Sequence, residues 1–210
     1  TLTDDEQLKI PIPEPDNYDP KDYELFRRIP THSSHISMKT LPDGGKRISS
    51  DFFNLSSIGS IGSQKYDMNS QYRTPLNLPL DIDWLNASMV GRKSIMQTYR
   101  QYTLSMLYFL RNDHSIPHTV RAFFSKFGFC HNEYTDTHGF SPALYIREGR
   151  RLVADTVLTG NDVITGTTFH DSIGKARYNF DCKPVKYLSN ASGQFVAREG
   201  CFFSSTAYRF

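Results

Sequence analysis

An α+β fold, helical in its first part and an antiparallel β-sheet in its last, is predicted by three observations. Apolar residues recur at the helical period of about 3.6 in three stretches between Asn86 and Thr159. After Gly160 the period shortens to two, as in half-buried strands. No strand–helix–strand repeat runs along the chain, so a parallel doubly wound sheet has no support.

The elements follow in order. The opening "TLTDDEQLKIPIPEPDNYDPKDYELFRRIP" holds five prolines among acidic residues. "IPIPEP" cannot be helix interior and predicts an extended arm. A short helix is expected at "DPKDYELFRRI", with Asp19 or Asp22 near its start. From Pro30 to Pro79 the chain is rich in Ser, Gly, Asn and Pro. With Phe52, Phe53, Ile58, Ile61 and Tyr66 to bury, this segment reads as a lid-like arm rather than a free linker. The division expected is therefore an arm and lid over 1–80 and a helical and antiparallel-sheet domain over 81–210.

The longest helix is expected over Asn86–Asn112, with Ile95, Tyr99, Tyr102, Met106, Phe109 and Leu110 on one face. A second is expected over Pro117–Lys126, with Val120, Phe123, Phe124 and Phe127 inward and Gly128 ending it. A third is expected over Pro142–Thr159 in "SPALYIREGRRLVADTVLTGND", with Ser141 capping and Gly160 closing. Ala143, Ile146, Val153 and Val157 would be its buried face. Arg147, Arg150 and Arg151 crowd its middle, and a solvated face is the plain alternative for them. Beyond Gly160, "DVITGTTF", "KARYNFD", "PVKYLS" and "QFVAREGCFF" read as strands, and "SNASG" as the hairpin loop between the last two.

Composition excludes more than it selects. A formal charge of +2 on 210 residues gives no global field to recruit nucleic acid or a membrane surface. No apolar run approaches the roughly 20 residues a spanning helix needs. Cys130, Cys182 and Cys201 have no CxxC spacing, so no disulfide framework is expected, although one bridge is possible. Three Asn-x-Ser triplets, at Asn54, Asn86 and Asn190, leave secretion open beside a cytoplasmic location. There is no HExxH and no carboxylate at ligand spacing from a His pair, so no metal site is expected. The GxSxG elbow, the phosphate-loop lysine and the GxGxxG fingerprint do not occur either.

Whole phrases nevertheless resemble one family. "YTLSMLYFLRND", "FGFCHNEYTDTHGFSPALYIREGRRLVADTVLTGNDV" and "DSIGKARYNFDCKPV" look like the middle of the FAD-dependent oxidoreductases, some of which are labelled xanthan-lyase-like. Leu144, Tyr145, Arg147, Glu148, Arg150 and Arg151 match the family's L-Y-[VI]-R-E-x-R-R-[ML] segment. Asp171, Ser172, Ile173, Tyr178 and Asp181 match its D-S-[VI]-x-x-x-x-Y-x-x-D strand. The tail "REGCFFSSTAYRF" is similar to the family's glycine turn and closing Tyr-Arg. The resemblance runs from about Asp22 to Phe210.

The resemblance implies the substrate-side domain of a flavoprotein, which covers the flavin and shapes the substrate pocket. Tyr178 and Asp181 would orient substrate or transfer protons. Lys183 would substitute as donor, since Asp181-Cys182-Lys183 stands where the family shows Asp-Ser-His. Arg147, Arg150, Arg151, Tyr145 and Ser172 would contact substrate or flavin, with Arg147 the foremost. The implied cofactor is FAD in the intact enzyme, with none held tightly by this chain alone. The implied partners are an FAD-binding domain or chain and a small-molecule substrate, with no nucleic acid and no membrane. Two other classes stand beside this reading: a non-enzymatic binding module, and a cofactor-free enzyme that reused the old pocket.

Overall fold

The computed structural model describes residues 1–27, 36–40, 46–50, 58–68, 81–144, 146, 149–150, 152–176, 186–193, 195–199 and 208–209. They fall into two units: Thr1–Glu148 with Ser189–Phe195, and Gly149–Leu188 with Val196–Phe210. The composition change at residue 80 does not coincide with the unit boundary near residue 148.

The first unit is built on a seven-stranded sheet. Its strands are β1 (Leu2–Thr3), β2 (Lys9–Ile10), β3 (Ile36–Thr40), β4 (Lys46–Ser50), β5 (Ile58–Gly62), β6 (Lys65–Met68) and β7 (Gly128–Cys130), in the order β2-β7-β1-β6-β5-β4-β3. Every neighbouring pair is antiparallel. Six of these strands, β1 to β6, lie in the segment expected as arm and lid, where the chain is extended but hydrogen-bonded strand to strand. The β5–β6 connection is a two-residue turn in which Ser63 and Gln64 both take left-handed φ, near 51° and 56°. Both central residues at positive φ match the right-handed twist of the flanking strands.

The arm at residues 11–19 runs without regular structure, as its prolines require, yet it is packed down. Ile12 is buried, the Tyr108 hydroxyl donates to Glu14 Oε2 at 2.9 Å, and Gln101 Nε2 donates to the Asp16 carbonyl. Asp19 then caps a 3-10 turn, Pro20–Tyr23, by accepting from Lys21 N at 2.9 Å, and α1 (Glu24–Arg27) follows.

After α2 (Asp81–Trp84), Ser88 caps α3 (Met89–Asn112), accepting from Gly91 N. The expected stripe is largely confirmed: Tyr99, Met106, Phe109 and Leu110 are buried, and Ile95 and Tyr102 are half-buried. In α4 (His118–Phe124) Val120, Phe123 and Phe124 face inward. Helices and sheet share one core, in which Leu2 and Tyr66 meet Phe109, Ile116, Val120, Phe124, Phe127 and Phe129. Burying a side chain of this size stabilises the fold by about 1.5–3 kcal/mol. Ring pairs fix the geometry, Tyr23 on Phe109 at 5.3 Å and Tyr66 edge-on to Phe127 at 5.2 Å.

Gly128 does not end a helix as expected but opens β7, wedged between β1 and β2. The sheet is therefore not the C-terminal feature the sequence suggests. Strands precede the helices as well as following them, and the α+β class holds.

In the second unit α5 (Gly160–Thr165) begins where a helix was expected to stop. The remaining strands are β8 (Lys175–Ala176), β9 (Lys186–Ser189), β10 (Phe195–Glu199) and β11 (Tyr208–Arg209), with β8 antiparallel to β11 and β9 paired with β10. "SNASG", which falls in the first unit, is the hairpin turn expected: Gly193 N donates to the Asn190 carbonyl at 2.9 Å, with Gly193 at φ 74°. "DVITGTTF" is not a strand, because its first half belongs to α5.

Candidate functional site

The helix expected over Pro142–Thr159 is absent among the described residues. Pro142–Leu144, Ile146, Gly149, Arg150 and Leu152–Thr159 take no helical conformation. Ser141 does cap, but only a turn that stops: Ala143 N donates to Ser141 Oγ at 3.3 Å. The decisive signal lies at the other end. The Thr159 hydroxyl accepts from Asp162 N, while the Asp162 carboxylate accepts from Thr159 N at 2.8 Å. This reciprocal capping box satisfies two orphan amides and starts a helix at Gly160 rather than closing one. Gly149 and the β-branched Val153 and Val157 weaken the helix upstream. Of the expected buried face, Ala143, Val153 and Val157 are exposed and Ile146 is half-buried, with Val153 96% accessible.

This changes the geometry expected of the arginines. Their grouping on one face assumed helical i,i+3 and i,i+4 spacing, and among the described residues Gly149, Arg150 and Leu152 are not helical. Arg150 is exposed. Ser172 is half-buried, and its Oγ donates to the Phe169 carbonyl at 2.7 Å, which closes a tight turn. Tyr145, Arg147, Arg151, Tyr178, Asp181 and Lys183 lie outside the described residues.

The first unit holds polar clusters that no local spacing announces. Glu133 accepts from Lys65 Nζ at 2.6 Å and from the Thr1 hydroxyl at 2.6 Å, across 68 and 132 residues of chain. These bonds hold its carboxyl below the usual range. Asp113 accepts from Arg27 Nη2 and from Ser115 N, each at 2.9 Å. Burial pushes the Asp113 carboxyl up, but the bonds from Ser115 and Arg27 outweigh it and leave the group below its ordinary value. Tyr66 is buried with its hydroxyl on Asp4 Oδ2 at 3.2 Å, and burial pushes its phenol up to about 12. All three clusters join segments distant in sequence and act as fasteners of the fold.

The loop after β7 is similarly fixed. Tyr134 and His138 both take left-handed φ, near 50° and 54°, on either side of a 3-10 turn. Gly139 follows at φ 80°, where an added Cβ would stand 2.7 Å from that of Phe129. Phe140 packs against Phe129 with the Arg100 guanidinium 5.4 Å from its ring centre.

A flavin dinucleotide needs a strand, a glycine turn and a helix N-terminus to cradle its pyrophosphate. The described residues do not fit that need. Gly128 is filled by strand packing, Gly91 lies inside α3, and Gly62 sits in a hairpin. The second unit's helix α5, capped by Thr159, spans only six residues. Nor, among the described residues, is any helix long and apolar enough to cross a membrane.

A family model described as FAD dependent oxidoreductase matches residues 1–204, taking in the proline-rich arm as well as both units. No curated protein matches the chain. No solved structure matches it either. With nearly the whole length matched, the chain belongs to the FAD dependent oxidoreductase family.

Proposed function

We propose that this chain is the substrate-side portion of a flavin-dependent oxidoreductase, covering the flavin and shaping the substrate pocket. The observation that carries this reading is the family match over residues 1–204 of a sequence without a GxGxxG fingerprint. In such enzymes the flavin supplies the redox chemistry, and the protein supplies binding, orientation and electrostatics. A separate FAD-binding domain or chain is then the partner, and a small molecule the substrate.

Within this reading Tyr178 and Asp181 orient the substrate or move its proton, and Lys183 serves as the donor where the family shows a His. Arg147 recognises an anionic group through its planar fork, with Tyr145, Arg150, Arg151 and Ser172 as further contacts. The test is purification of the protein from its natural source, followed by its visible spectrum. A flavin spectrum that bleaches when a substrate is added without oxygen is the expected result. A preparation that contains the flavin-binding domain or chain, yet shows no flavin spectrum after incubation with FAD and desalting, would overturn the proposal.

A further inference from the structure

No further inference is drawn: the strongest candidate, the exposed apolar run of the second unit around Leu152, Val153, Val157 and Ile173, carries nothing because no feature of the structure shows what covers it.

Discussion

Gly128 is pressed against Ile10 so closely that a Cβ on Gly128 would stand 2.3 Å from the Ile10 carbonyl oxygen. The contact is backbone on side-chain space, in the middle of the strand trio β2-β7-β1. No rotamer relieves it. Gly128→Ala should therefore push β2 away from β7 and cost at least about 1–3 kcal/mol, the usual range for overpacking. Urea unfolding should show a lower midpoint with little change in slope. A midpoint equal to that of the unsubstituted protein would count against the strand packing described.

The Arg27–Asp113 pair, at 2.9 Å, predicts how stability responds to acid. The folded pKa of Asp113 lies below its unfolded value. Its contribution is therefore complete above the unfolded pKa of about 3.9 and is lost as pH falls through the folded value. Asp113→Asn keeps the shape but removes the charge, and should cost about 1–2 kcal/mol near neutral pH. The difference between the two proteins should shrink below about pH 4. Unfolding curves that stay separated by the same amount in acid would contradict the assignment.

These contacts mark what was legible in the sequence. Helices α3 and α4 were readable because a long apolar stripe has one physical solution, an amphipathic helix over a core. The Asn190–Gly193 turn was readable from its own chemistry. Strands β1 and β2 were not, since two residues carry no period and owe their pairing to distant partners, β7 for both and β6 as well for β1. The Pro142–Thr159 stretch failed for a different reason. Ser141, Pro142 and Gly160 all resemble helix boundaries, but Thr159–Asp162 is a capping box pointing the opposite way. Local caps outvoted a weak apolar period interrupted by Gly149. Of the candidate site residues, Ser172 and Arg150 lie among the described ones, Ser172 closing a turn onto Phe169 and Arg150 exposed.

The buried phenols of Tyr23 and Tyr66 and the half-buried one of Tyr18 predict the opposite pH limit. Burial raises Tyr18 and Tyr66 to about 12, and it raises Tyr23 as well. A phenol whose folded pKa lies above the unfolded value of about 10 stabilises the fold below that value. That contribution is lost as pH rises through the folded pKa. Ultraviolet titration should thus show some tyrosines ionising early and others only with unfolding, near pH 12. Smooth ionisation of all tyrosines near about pH 10 would be incompatible with the aromatic core.

Arg150 is exposed on non-helical backbone. Arg150→Ala should therefore shift stability by less than about 0.5 kcal/mol, as surface substitutions usually do. Arg147→Lys in the flavin-containing enzyme tests the proposed contact instead. It keeps the charge and loses the fork, so turnover should fall while the melting temperature holds. Unchanged turnover would remove Arg147 from the proposed site.

The last expectation concerns FAD itself. A pyrophosphate carries two negative charges close together, and proteins hold it with several backbone amides aimed at one point at the start of a helix. The described residues offer no strand, glycine turn and helix in that order, and exposed arginines give only screened attraction. FAD titrated into this chain alone should therefore not reach submicromolar affinity, by calorimetry or by flavin fluorescence. The same titration with a flavin-binding segment of the family added should do so, if the proposed division of labour is right. Tight binding by the chain alone would mean that residues outside the described set form a phosphate site of a different design.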